Sequence, residues 1–178
     1  MVNKLITMSN LDVVLEKKDI SAADWADEFW DWTCIVYADG DVQTLCLAMQ
    51  NRFNCNVNFL LLAIWLGQRN YLIPKTGWSL LIKRTERLRA GVRKLRERRR
   101  KIKLTNREHY EKLLDMELKG ENLVQAKAME TLLGFNNSIL EKNTVEPNLI
   151  AYVRATKGGE DAENEAKTLG ALVQKLSD

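Results

Sequence analysis

Four carboxylates, Asp24, Asp27, Glu28 and Asp31, fall at i, i+3, i+4 and i+7. On a helix that spacing gathers them on one face, the arrangement with which facing helices of di-metal and prenyl-synthase bundles hold hard cations. Such a site needs a second carboxylate-rich helix opposite, and no matching spacing recurs in the sequence. A solvated acidic face near a helix N-terminus, favoured by the macrodipole, is the simpler account. Cys34, Cys46, Cys55 and the single histidine, His109, complete the metal-capable set. They form no C-x-x-C and lie far apart, so no zinc site is expected. Cys34 and Cys46 fall on apolar helix faces, where a free thiol behaves as a small hydrophobe. His109, between Glu108 and Tyr110 near a helix start, reads as a surface residue.

Phosphate loops of the G-x-G-x-x-G and G-x-x-x-x-G-K-[ST] types, the G-x-S-x-G elbow and H-E-x-x-H are all missing from the sequence. No catalytic residue, metal or cofactor is therefore expected, and the reading leans away from an enzyme.

The strongest signal is charge. Residues 83–103 hold twelve Lys or Arg against Glu86 and Glu97, a local balance of +10 in a chain of formal net charge +3. Residues 9–41 hold nine Asp or Glu and two Lys, or −7. Arg93, Arg96, Arg98, Arg99, Arg100 and Lys101 are the candidate anion-binding residues. Like charges at i,i+4 disfavour a helix by a few tenths of a kcal/mol each, so something offsets them or the helix frays. Three arrangements compete. The run binds an anionic partner (nucleic acid, ribosomal RNA or acidic lipid headgroups), the acidic N-terminal region lies against it, or it is a solvated face. Against nucleic acid, no aromatics interleave with the cations, and no zinc-finger spacing or RNA-recognition motif is present.

The elements that must position these residues are helices. With 178 residues, 46% hydrophobic, 9 Gly and 2 Pro, the chain can bury a sizeable core and is neither disordered, collagen-like nor a disulfide scaffold. Ser21-Ala-Ala-Asp24 has capping-box spacing and starts a helix to about Tyr37, with Trp25, Phe29, Trp32 and Val36 on one face. A second helix runs from about Val42 to Arg52. Asn56 is the N-cap of a third, apolar nearly all round, which reaches about Arg69 and marks the centre of a bundle. Residues 71–77 read as a loop. A long helix from about Trp78 to Lys103 carries a seam of Leu81, Leu88, Leu95 and Ile102. Thr105-Asn-Arg-Glu108 then caps a helix that Gly120 interrupts before a stretch from Leu123 to Leu140. Pro147 opens a further helix at N1, and Leu169, Leu172, Val173 and Leu176 form the last. No strand pattern stands out. The expectation is one all-α domain over residues 1–178, with an N-terminal three-helix core (21–70), a long basic helix in a hairpin (78–140) and packed C-terminal helices (147–178).

No signal peptide is visible, and the longest apolar run, residues 57–66, is far short of the ~20 residues that cross a bilayer. The expected location is the cytoplasm, with reduced thiols. Either Met1 or Met8 serves as start, since residues 1–7 carry no pattern.

Several motifs recur together. An aromatic start, Trp30-Asp31-Trp32, precedes Tyr37-Ala38 and the helix Leu45-Cys46-Leu47-Ala48-Met49-Gln50. Asn56-Val57-Asn58-Phe59-Leu60-Leu61-Leu62-Ala63-Ile64-Trp65 follows, then the arginine-rich helix and Glu146-Pro147-Asn148-Leu149 before Tyr152-Val153. This pattern resembles a small family of proteobacterial conserved hypothetical proteins that carries a domain of unknown function. In that family's hallmark, D-V-N-L-L-L-x-x-x-W, an Asp stands where this chain has Asn56, and a Leu where it has Phe59. The resemblance implies a cytoplasmic, bacterial, all-α protein and assigns no activity. Trp30, Asp31, Trp32, Gln50, Asn56, Asn58 and Trp65, which carry it, are expected to be structural. Trp25, Phe29, Trp32, Leu61 and Trp65 should share one core, and Asn58 should be buried with Gln50 as a candidate partner. The function expected is binding of an anionic partner (nucleic acid, a ribonucleoprotein or an acidic protein surface) through the basic helix. A protein-assembly module pairing in trans through the Leu seam is the alternative, and a metal-dependent all-α enzyme the third.

Overall fold

A computed structural model describes residues 21–134, 139–140 and 144–177. Expectations for Met1, Met8 and the acids before residue 20 lie outside the described residues, as do those for 135–138 and 141–143. Seven helices lie within the described residues: α1 (Ala22–Tyr37), α2 (Gly40–Phe53), α3 (Val57–Gln68), α4 (Lys75–Ile102), α5 (Arg107–Leu133), α6 (Val145–Ala155) and α7 (Glu160–Ser177). One short antiparallel pair accompanies them, β1 (Tyr71–Leu72) with β2 (Ile139–Leu140), in register Tyr71 to Leu140 and Leu72 to Ile139.

Local chemistry explains the helix starts. Ser21 and Asp24 form the expected capping box. Asp39 accepts from the amides of Asp41 and Val42, both at 3.0 Å, so the Asp-Gly-Asp break is itself a cap. Asn56 accepts from the Phe59 amide at 3.2 Å. Three starts differ from expectation. α4 begins at Lys75, directly after Pro74, so the loop is shorter than residues 71–77. Asn106, not Thr105, caps α5, accepting from the His109 amide at 2.9 Å. α6 begins at Val145 with Pro147 third in the helix, where a missing N–H is as harmless as at the first position. Gly120 does not interrupt α5. The helix is continuous to Leu133, and residues 139–140 are strand rather than helix.

The core is built around α3, whose residues 59–67 are all buried. α6 crosses it so closely that a Cβ on Gly67 would stand 2.4 Å from Val145 Cα. Only glycine permits that backbone approach. α7 packs on α6 and α2, α1 lies along α5, and α4 and α5 form the long hairpin. Trp25 and Phe29 meet Trp65 at 5.3 and 5.4 Å between ring centres, while Trp78 and Tyr152 meet at 5.3 Å. Such pairs add about 0.5–1.5 kcal/mol beyond their buried area. Trp25, Phe29, Leu61 and Trp65 are buried together as expected, and Trp32 is partly buried at the edge of that cluster.

The Leu seam is only in part the packed face of α4: Leu81 and the neighbouring Val92 are buried, but the seam turns outward beyond them. Trp78, Leu81, Thr85 and Val92 are its buried residues, while Leu88 is 36% exposed. A helix offers more than one seven-residue series. The inward series is Trp78, Thr85, Val92 and Arg99, of which Trp78 meets Phe59 and Tyr152 while Val92 and Arg99 meet α5, and its polar members disguise it in the sequence. The hairpin closes tightly because α5 presents Gly120 to Val92; a Cβ there would come within 2.8 Å of Val92 Cγ2.

Candidate functional site

The basic helix divides its charges among three directions. Arg96 and Arg99 turn inward. Arg96 donates from Nε to Glu117 Oε1 at 2.8 Å and also pairs with Glu121. Arg99 donates from Nε to Glu117 Oε2 at 2.6 Å and from Nη1 to the Tyr110 hydroxyl at 2.8 Å. Glu117 is buried, with 6% of its side chain exposed. Burial pushes its carboxyl up, but the hydrogen bonds from Arg99 and Arg96 outweigh that and hold it below the usual carboxylate range. Glu121 shifts the other way, because burial and the nearby Glu117 charge outweigh Arg96. Burial works against the Arg96 charge, and the two carboxylates outweigh it.

A second group lies along one flank, where Glu86 pairs with Arg89 at 3.3 Å and Arg93 at 2.7 Å. The third direction faces solvent. Lys83, Arg87, Lys94, Arg98 and Lys101 advance by four, seven, four and three residues and are all exposed. The helical repeat therefore aligns them on the side opposite Thr85 and Val92. Within the described residues no ion pair reaches any of the five. The stripe runs roughly 27 Å at 1.5 Å per residue. Arg100 is exposed beside it.

Among the described residues the counter-charges that reach the basic run come from α5 and from Glu86 of α4 itself, not from α1. Within α1, Asp24 is engaged in its cap, Glu28 pairs with Arg69, and Asp27 and Asp31 are exposed. No group of three or more His, Cys, Asp or Glu within the described residues could hold a metal ion. Cys34 is exposed rather than on an apolar face. Cys46 and Cys55 are buried, which pushes their thiols up to about 12 and about 11.

The motif residues of the N-terminal half serve the fold. Asn56 caps α3, and its own amide donates to the Tyr152 hydroxyl at 2.6 Å. Asn58 is half-buried and accepts from Gln125 Nε2 at 3.2 Å, so its partner comes from α5 and is not Gln50, which is half-buried on α2. Trp65 is buried under the Arg69 guanidinium, 3.9 Å from its ring centre. Trp30 and Trp32 are half-buried.

Sequence reasoning missed Glu117 and Gln125, and quoted Asn148 and Tyr152 only within a motif, without a role. Glu117 had a usable signal, since it shares an i, i+4, i+7, i+11 series with Leu113, Gly120 and Val124. Asn148 is buried and accepts from the Ile73 amide at 2.8 Å while donating to the Tyr71 carbonyl at 2.6 Å. It holds the β1 segment to α6. An open trough of about 580 Å³ between α2 and α7 is lined by Leu45, Ala48, Ala171 and Leu172 together with Asp41, Thr44, Thr168 and Lys175; the two threonine hydroxyls are taken up by the carbonyls of Gly40 and Asn164.

The family model described as "Protein of unknown function (DUF2390)" matches residues 28–128, more than half of the chain. The chain belongs to this family. In this DUF2390 chain the matched span includes the outer stripe of α4 and the Glu117 cluster, but neither Asn148 nor Tyr152. Searches of curated proteins and of solved structures gave no match. No helix of the described residues is long and apolar enough to cross a membrane.

Proposed function

We propose that this DUF2390 chain is a nucleic-acid-binding protein of the cytoplasm. In this reading residues 1–178 act as one helical unit, and the outer stripe of α4 binds the phosphates. The observation that carries it is the division of charge on α4. Arg96 and Arg99 are neutralised by Glu117 and Glu121, whereas Lys83, Arg87, Lys94, Arg98 and Lys101 face solvent without an acidic partner in the described residues. A row of cations along a rigid helix suits a phosphate backbone, whose condensed counterions are released on binding. The chemistry is that of backbone recognition without base readout, since neither aromatics nor amide side chains line the stripe.

The test is fluorescence anisotropy with short duplex and single-stranded RNA and DNA over a salt series. The wild type should bind with an affinity that falls steeply with salt. Replacing the five stripe residues by Gln keeps helix propensity nearly constant. It should flatten the duplex salt slope by up to about 0.9 for each phosphate no longer neutralised. Replacing Arg93 and Glu86 together should leave that slope nearly unchanged, because the pair is already neutral. A wild type without salt-dependent binding would remove the nucleic-acid reading.

A further inference from the structure

The Leu series left over from the packed face of α4 does not stand alone. Leu88, Leu95 and Ile102 are 36% exposed, half-buried and half-buried respectively. On α5, Met116 is 52% exposed and Leu123 is 56% exposed. The approach of Val92 to Gly120 and the pairing of Arg96 with Glu117 fix the levels of the antiparallel hairpin. Leu88 therefore stands level with Leu123, and Leu95 level with Met116. At 100° per residue, Leu88, Leu95 and Ile102 lie to one side of the inward line of α4, and Arg89, Arg93 and Arg96 to the other. In an antiparallel partner the same sense of rotation puts Met116 and Leu123 on the Leu side. Glu121 and Gln125, beside α1 and α3, fall on the opposite side. Two apolar rungs, extended by Ile102 on α4, thus form a strip roughly 21 Å long on one flank of the hairpin.

We propose that this strip is a docking groove for an acidic amphipathic helix of a partner protein. Two helices with apolar residues repeating every seven positions present the seat that a third helix fills with its own i, i+3, i+4 and i+7 residues. The charges bordering the strip select the occupant. Arg84 and Arg98 flank it on α4, both exposed and without an ion pair among the described residues, whereas Lys112 and Lys119 on α5 are matched by Glu108 and Asp115, so the border is net positive. A second copy seated through the same strip would bring this net positive border against itself. A helix with Glu or Asp beside its apolar line meets it favourably. This inference stands apart from the nucleic-acid reading, which rests on the outward stripe of α4; Arg98 alone borders both.

The experiment uses the full chain and a labelled peptide of about three heptads with Leu at two positions of each heptad and Glu beside them. A scrambled peptide of the same composition is the control. The ordered peptide should bind about tenfold or more tighter than the scrambled one at physiological salt. Leu123→Gln alone, and Leu88→Gln with Leu123→Gln, should each weaken it by about tenfold or more while leaving the far-ultraviolet spectrum and nucleic-acid affinity unchanged. Equal binding of both peptides, or unaltered binding to the two variants, would overturn the proposal. A molecular mass by light scattering that doubles with concentration, and returns to the monomer value in Leu88→Gln, would overturn it in favour of a second copy.

Discussion

Arg99 reaches across the hairpin and donates from Nε to Glu117 Oε2 at 2.6 Å. The other oxygen of the same carboxylate receives Arg96 at 2.8 Å, so one buried acid ties two successive turns of α4 to α5. The geometry sets the register of the hairpin. It also answers how a helix with twelve cations in 21 positions stays wound, since its inward charges are matched before its outer ones meet solvent.

Glu117→Gln should therefore destabilise the fold by about 3–5 kcal/mol, because it leaves two guanidiniums in a partly buried site without their shared anion. The urea midpoint measures it. The pH dependence has a definite sign. Glu117 ionises more readily folded than unfolded, so its contribution is present above the ordinary carboxylate range and is lost as pH falls through its lowered folded value. Glu121 is raised in the fold, so it works in the opposite direction, and Glu121→Gln should change the midpoint much less. A wild-type midpoint that does not drop below about pH 4, or drops equally in Glu117→Gln, would contradict this assignment.

The helices and their caps were legible because Ser21, Asp39 and Asn56 act within three residues of themselves. The all-round apolar face of α3 likewise announced its central place. The packed line of α4 was not legible, because Thr85 and Arg99 look like surface residues until Glu117 is known to lie opposite Arg99. The candidate site was half visible. Composition located the basic helix, but which cations are free depends on Glu117 and Glu121, distant in sequence. Asn58 shows the same limit: its polarity inside an apolar run signalled a partner, but only the packing of α5 makes that partner Gln125 and not Gln50.

Asn148→Ala should orphan the Ile73 amide and weaken the hold on the Tyr71 carbonyl, which Thr144 Oγ1 approaches only at 3.4 Å. An unpaired buried polar group costs about 1–3 kcal/mol, so the urea midpoint should fall accordingly. Amide exchange should accelerate at Ile73 before it does at Leu60 in the middle of α3. Unchanged protection at Ile73 would show that another group takes over the bond.

The three thiols should separate cleanly. Cys34 is exposed, yet burial and the Asp31 charge raise it above the ordinary thiol value, so it should react slowly at neutral pH and faster as pH rises. Cys46 and Cys55, at about 12 and about 11, should resist a disulfide reagent until the chain unfolds. Titration with Ellman's reagent, native and in denaturant, tests this. Rapid reaction of Cys46 in the native protein would contradict its burial.

The meeting of Tyr152 with the Asn56 amide carries a consequence for what a sequence family delimits. The matched span ends at residue 128, inside α5, whereas the hydroxyl that receives that amide, and the asparagine that holds β1, belong to α6. α6 is also what covers Gly67 at a distance no side chain could share. The matched span and the packed unit are thus bounded differently in this chain. Residues 28–128 by themselves leave one side of α3 bare, and the helix that shields it lies beyond the span the family model matches.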